Sequence, residues 1–361
     1  MTYIPIKNFS VYCKNNLATS TSLLSERSQL CYRSSSMTKT IIGTIGGVGA
    51  IIFLFMFIQA SNSSSQNDNS GFTGQRAGES PEPVEGIPRF LQRSFPDTDF
   101  STAEPAVAKI LSGGPGKDGI PAIDEPTFEP ITSFAHSDTV EAIVLEDDRG
   151  AFVYPYNILN WHEIVNDEIG GVPVAITFCP LCGSAIVFDR TLPDGSVTTL
   201  GVSGALIESN MVMYDRATES LWQQSTGKAL AGEHVGESLS HVQFQLMTIG
   251  AVKEKYPDAQ VLSENTGYPR DYARNPYSGY ETNNGQFFFP ISEFGAAFEA
   301  KDIMAVFRVG DTFAATPWQN FQDGETRTSE VAGTAVTLSK TDGELSIVAD
   351  DGTGIPFYFE M

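Results

Sequence analysis

The chain has 361 residues with 33 Gly and 20 Pro, long enough for one large or two ordinary domains and neither collagen-like nor wholly disordered. Twenty-two Lys and Arg against 44 Asp and Glu leave a formal net charge of −22, which argues against a nucleic-acid partner. One stretch alone is apolar for long enough to cross a membrane, which excludes a multi-pass transporter, and four Cys with four His leave little material for metal clusters or a disulfide framework.

Residues 1–40 form a cytoplasmic segment in this reading, with Lys7, Lys14, Arg27, Arg33 and Lys39 against Glu26 alone, a net of +4. Residues 41–60 (IIGTIGGVGAIIFLFMFIQA) are uncharged. At about 1.5 Å per residue they span about 30 Å, the thickness of a bilayer's hydrocarbon core. Everything after them carries a net of −26, so the positive-inside rule predicts a single-pass protein in the cell membrane with its bulk outside the cytoplasm. The alternative is a signal peptide starting near Met37 and cleaved near Ala60, which would leave a secreted protein. Residues 61–85, rich in Ser, Asn, Gly and Pro, read as a flexible linker.

From there on the pattern is mainly β, a β-rich α+β fold with a few packed helices. Strands are predicted at 140–145, 151–154, 172–178, 185–188, 197–202, 211–214, 303–309 and 331–338, and helices at 106–111, 158–166 and 242–256. A weak internal repeat aligns 142–159 with 304–321 and 170–177 with 331–338. It suggests a duplicated β module, with a main domain over 86–284 and a partial repeat over 285–361 that contains no cysteine.

Cys13 and Cys31 fall on the far side of the predicted span from Cys179 and Cys182. The latter pair sits in CPLCG between two strand-like runs, which reads as a hairpin turn with Gly183 supplying an unusual backbone angle. Three chemistries fit a vicinal pair of thiols there. One is thiol–disulfide or related redox exchange. Another is a transition-metal site, Zn or Cu, in which Cys179 and Cys182 would need His162 as a further ligand. A third is a structural disulfide closing a loop so short that it adds little stability. His162 and Glu163, in WHEIVND, fall on the polar side of the predicted helix and are candidates for proton transfer beside Cys179 and Cys182. Asn210, Asp215, Arg216, Glu219, Trp222 and Gln223 are dense enough to line a pocket, or else to form an ion-paired hairpin over a core Trp. No motif of a Ser hydrolase, ATPase, zinc protease or dinucleotide enzyme stands in a suitable setting.

The strings YPYNILNWHEIVNDEIGGVPVAITFCPLCGSAIVFDR, GVSGALIESNMVMYDRATESLWQQ and NTGYPRDYARNPYSGY resemble a bacterial and archaeal family known only as domain of unknown function 3179, over about residues 118–280. Some members of that family look like selenoproteins, which implies redox chemistry at the CPLC position, but the resemblance brings no accepted reaction. The functional expectation is an extracytoplasmic thiol oxidoreductase. Its alternatives are a metal-handling protein and a non-catalytic cell-surface module, each with an unknown protein or small-molecule partner.

Overall fold

The structure, a computed structural model, describes residues 84–280, 287–292, 301–310, 312–318, 321–341 and 344–360. The predicted span at 41–60, the cytoplasmic segment and nearly all of the linker lie outside the described residues. Among the described residues no helix is long and apolar enough to cross a membrane.

The fold is β-rich. In chain order the elements are α1 (Arg89–Ser94), β1 (Leu111–Ser112), β2 (Phe128–Pro130), β3 (Glu141–Asp147), β4 (Gly150–Pro155), α2 (Tyr156–His162), β5 (Ile164–Ile169), β6 (Val172–Cys179), β7 (Ser184–Asp189), β8 (Leu200–Ile207), β9 (Asn210–Asp215), β10 (Leu221–Gln223), β11 (Ala229–Ala231), β12 (Gln245–Thr248), α3 (Ile249–Lys255), β13 (Gln260–Leu262), β14 (Met304–Val309), β15 (Thr312–Pro317), β16 (Thr326–Val331), β17 (Thr334–Thr341), β18 (Glu344–Ala349) and β19 (Phe357–Glu360). They form four sheets, ordered β1-β8-β9-β10-β11, β12-β3-β4-β13-β2, β15-β14-β19-β7-β6-β5 and β16-β17-β18. β13 runs parallel to β4, and the other named pairings are antiparallel.

Neighbouring strands joined by tight turns explain most of this order. Gly170 and Gly171, at φ 59° and 79°, close the β5–β6 hairpin with the left-handed turn that matches strand twist. Strand β6 is buried on both faces from Val174 to Cys179, as a central strand covered on both sides should be. Its Ile176 joins Ile158, Leu159, Val187, Phe188, Trp222 and Phe359 in the largest apolar cluster, so the cysteine turn sits at the end of a strand pair that is buried in the core.

A hairpin followed by a three-stranded meander occurs twice in chain order, as β3–β4 then β5–β6–β7, and as β14–β15 then β16–β17–β18. The sheet partners of the two sets differ. The second hairpin joins the first meander through β19, where Phe359 pairs with Ala185, so chain from both sides of residue 284 builds one six-stranded sheet.

Two helices are shorter than the sequence pattern predicts. The segment expected as helix over 158–166 is helical only to His162, because residues 164–169 gain a full ladder with β6. In the segment expected over 242–256, residues 245–248 pair with β3, and the helix starts at Ile249, capped by the Thr248 side chain. Ladder pairing, a long-range gain, overrides the local helical period in both cases.

Candidate active site at the cysteine turn

Helix α2 starts after Pro155 and stops where Glu163 turns to φ 59°, ψ −30°. The Glu163 N–H still donates to Leu159 O at 2.7 Å, and the Glu163 carbonyl accepts the Phe178 N–H at 2.8 Å. That contact ties the helix end to the residue preceding Cys179. A non-glycine residue in this conformation costs about 1–3 kcal/mol unless its surroundings hold it.

Cys179 closes β6 and pairs with Ser184, the first residue of β7. Between them Cys182 N donates to Cys179 O at 3.3 Å, and Gly183 takes φ 53°, which lets the turn close. Tyr280 OH donates to Leu181 O at 2.9 Å and pins the turn from outside. Both thiols are free. Cys179 is buried, with its sulfur 3.7 Å from Ser209 O, whereas Cys182 is partly exposed.

The Cys182 sulfur accepts from Asn210 Nδ2 at 3.1 Å and lies 3.1 Å from Ser184 Oγ, a contact in which either atom can donate. Behind them Gln224 Oε1 receives Asn210 Nδ2 at 2.7 Å and Ser184 Oγ at 2.5 Å. Burial opposes ionisation of Cys182, but hydrogen bonds from Cys179, Ser184 and Asn210 outweigh it and bring the thiol down to about 7. Cys179 moves the opposite way, held well above the ordinary thiol range by burial and by the neighbouring Cys182.

Two carboxyls share this environment. Glu163 is pushed up to about 8 by burial and then by the Cys182 charge, against a hydrogen bond with Tyr277. Glu360, brought beside the turn by the pairing of β19 with β7, is pushed up to about 8 by the same two causes. Like charges at close range do not ionise together. A charge on Cys182 and a charge on either carboxyl therefore oppose one another.

His162 is fully buried, not on a polar face as its helical position predicts. Its Nδ1 lies 2.8 Å from Pro121 O, an acceptor, so Nδ1 carries the hydrogen and Nε2 accepts from Tyr272 OH at 2.7 Å. Burial lowers its pKa. Both ring nitrogens are engaged away from the cysteines. Among the described residues no group of three or more His, Cys, Asp or Glu is placed to hold a metal ion.

Trp161, His162 and Glu163 together fasten one loop. Trp161 Nε1 donates to Arg274 O at 3.1 Å, His162 bonds Tyr272, and Glu163 bonds Tyr277. The WHE triplet and the NTGYPRDYARNPYSGY string thus meet in space as one strap beside the cysteine turn.

Of the residues predicted to line a pocket, Asn210 alone contacts a cysteine. Asp215 is buried and accepts Trp222 Nε1 at 2.9 Å and Thr218 N at 2.7 Å. Arg216 reaches Asp124 at 2.9 Å and Asp118 at 3.5 Å, Glu219 pairs with Lys117, and Gln223 accepts from Thr226. Ser184, Gln224, Glu360, Tyr277 and Tyr280 belong to the site and are not evident from the sequence. Ser184 directly follows CPLCG and Gln224 ends the polar run, so proximity was the one available signal for these two.

A family model described as Protein of unknown function (DUF3179) matches residues 117–354. No curated protein and no solved structure matches the chain.

Proposed function

The chain belongs to the DUF3179 family, and we propose that its Cys179–Cys182 turn performs thiol–disulfide exchange. The observation that carries this reading is the unlike surroundings of two free thiols in one turn. Cys182 is partly exposed, with a donor in Asn210 Nδ2 and a hydroxyl in Ser184 Oγ each 3.1 Å from its sulfur, while Cys179 is buried behind it. An attacking thiol needs access and a stabilised anion; a resolving thiol needs neither until the second step.

In this reading the Cys182 thiolate attacks one sulfur of a substrate disulfide. A Cys182–substrate bond forms, the substrate's own S–S bond breaks, and one substrate thiolate leaves and takes a proton from water. Cys179 then attacks the Cys182 sulfur, forming the Cys179–Cys182 disulfide and expelling the second substrate thiolate, which takes up, through water, the proton that Cys179 gives up. Two electrons pass from the cysteine pair to the substrate. With an oxidised pair and a dithiol partner, the same steps run in reverse.

The net of +4 before residue 41 and −26 after residue 60 supports an anchored chain whose working domain lies outside the cytoplasm, a compartment that permits disulfides. The repeated order of hairpin and meander supports descent from a duplicated module. Protease added to spheroplasts should digest the domain and spare an N-terminal tag.

The direct test uses an aromatic disulfide whose released thiolate absorbs visible light. The Cys179→Ser chain should hold a stable mixed disulfide on Cys182, whereas the wild-type chain releases both substrate thiols. No mixed disulfide, with one equivalent of zinc bound and unfolding by chelator, would replace this reading with a metal site. No reaction and no metal would leave a binding module.

A further inference from the structure

Resting on the exchange reading, we propose that the Ser184 hydroxyl is a switchable donor that follows the charge on Cys182. It points to Gln224 Oε1 while Cys182 is a thiol or a disulfide, and turns to the sulfur when the thiolate forms. Asn210 is its fixed companion, and Gln224 is the positioning residue that receives the hydroxyl when the sulfur does not need it.

Hydrogen counting fixes every other member of the network. Ser225 N–H donates to Asn210 Oδ1 at 2.9 Å, so the Asn210 amide can only aim its nitrogen at the sulfur. Thr177 Oγ1 gives its one hydrogen to Ile186 O at 2.7 Å and must therefore accept from Gln224 Nε2 at 3.1 Å. The second Gln224 amide hydrogen goes to Ser184 O at 3.2 Å, which leaves Gln224 Oε1 facing Asn210 and Ser184. Neither amide can flip without setting donor against donor in a buried place.

Three hydrogens remain free to choose, those of Ser184, Cys182 and Cys179, the last of which can serve Ser209 O at 3.7 Å or the Cys182 sulfur. With Cys182 as a thiol, its S–H donates to Ser184 Oγ and Ser184 donates to Gln224 Oε1, so every acceptor is filled. With Cys182 as a thiolate, the Ser184 hydrogen rotates to the sulfur beside Asn210, while Gln224 Oε1 keeps the other Asn210 hydrogen. No heavy atom has to move between the two states, and no buried donor loses its partner. Ser184 therefore stabilises the reduced, ionised state selectively, which makes the pair a stronger oxidant and Cys182 a better nucleophile near neutral pH.

The titratable and charged groups facing Cys182 are Cys179 across the turn, Glu163 at the end of α2, Glu360 on β19, and Tyr280 with Lys301 over its ring. Tyr277 faces Glu163 and Cys179. None of them is altered by the substitutions below.

The test compares full-length wild type, Ser184→Ala and Ser184→Thr by two measurements: the rate of alkylation by iodoacetamide as a function of pH, and the equilibrium with glutathione redox buffers. Ser184→Ala should alkylate about fivefold more slowly near pH 7, about tenfold more slowly near pH 6, and converge on wild type at alkaline pH, with the pKa of Cys182 moved up by about one. Its disulfide should be favoured about twofold near pH 7 and about tenfold above about pH 9, where the potential should be about 30 mV more negative. Ser184→Thr, which keeps a hydroxyl, should restore both. A folded Ser184→Ala chain with the wild-type pH profile and potential overturns the proposal.

Gln224→Met decides the matter should Ser184→Ala not fold. Without Oε1 the Ser184 hydroxyl has the sulfur alone to serve, so alkylation near pH 6 should be faster than in wild type. Slower alkylation overturns the switch. Alkylation needs only the thiolate, so these rates remain informative if the Cys179→Ser chain takes up no mixed disulfide and the exchange reading itself fails.

Discussion

Phe178 N–H donates to Glu163 O at 2.8 Å, which fastens the residue before Cys179 to a residue held at φ 59°. The backbone angle, the buried carboxyl and the cysteine strand are thus linked at one point. Substituting Glu163 for its carboxyl alone leaves that backbone link in place.

Glu163 should make the protein less stable as pH rises. An unfolded Glu ionises near 4.5, whereas the folded one holds its proton to about 8. Between those values the unfolded state gains a charge that the folded state refuses, so stability falls across that window and levels off above it. Glu360, also raised to about 8, adds to the same slope. Glu163→Gln keeps a hydrogen-bonding group for Tyr277 and removes the penalty. It should gain about 1–3 kcal/mol over wild type near pH 8 and almost nothing near pH 4.5. Parallel urea-denaturation curves for the two chains across pH 4–9 would refute this account of Glu163.

Replacing Cys179 and Cys182 together by Ser should leave the domain folded, with a loss of about 1–3 kcal/mol. The turn is closed by the β6–β7 register and by Tyr280 on Leu181, neither of which uses sulfur. Most of the loss comes from Cys179, whose buried sulfur behaves as a small apolar group that a hydroxyl replaces poorly. Circular dichroism and denaturant melts give the value. Complete unfolding of the double variant would mean that the sulfurs hold the structure together, as ligands of a structural metal do.

How far this site could be read from the chain depends on where each residue's partners lie. The CPLCG hairpin was legible because short, nearly continuous apolar runs flank it and Gly183 sits where the turn needs a positive φ. The end of α2 was not, since Glu163 is a poor residue for that backbone angle and the run after it keeps a helical-looking apolar pattern until it pairs with β6. The burial of His162 depends on Pro121 and Tyr272, 41 and 110 residues away, and no local pattern carries that information. Gln224 and Gln223 are adjacent and chemically alike, and only the register of β10 against β9 decides which of them turns inward. Glu360 reaches the cysteines because β19 pairs with β7, a long-range contact that the weak repeat does not predict.

His162 should support the strap and leave the thiols alone. Replacing it with Phe fills the space but leaves Pro121 O without its donor, while Tyr272 OH keeps Thr266 Oγ1 at 2.6 Å, for a loss of about 1–3 kcal/mol near neutral pH. Burial depresses its pKa, so the unfolded state takes up a proton near 6.5 before the folded state does. Wild-type stability contributed by this group is therefore present above about pH 6.5 and lost as pH falls below it, and His162→Phe should flatten that acid limb. Cys182 alkylation should stay within about twofold of wild type. A variant with native stability and altered thiol reactivity would move His162 into the chemistry.

Asp215 tests whether the polar run after β9 is scaffold or site. Its carboxylate accepts Trp222 Nε1 at 2.9 Å and Thr218 N at 2.7 Å, and both Asp215 and Trp222 are fully buried. Asp215→Ala strands the fully buried indole N–H of Trp222 and the part-buried amide of Thr218, while the Thr218 hydroxyl can turn to Ser220 Oγ at 2.7 Å. At about 1–3 kcal/mol for the buried indole and less for the part-buried amide the loss should be about 2–4 kcal/mol, read from urea denaturation followed by Trp fluorescence. Asp215→Asn restores an acceptor for Thr218 N but can set its amide nitrogen against the indole, so it should fall between wild type and Asp215→Ala. Thiol reactivity measured on the folded fraction should not change in either variant, since Asp215 touches neither cysteine nor any member of the Asn210–Ser184–Gln224 network. The reverse pattern, native stability with a changed Cys182 alkylation rate, would make Asp215 part of the working site and would mean that the boundary drawn here between Asn210 and the rest of the run is misplaced.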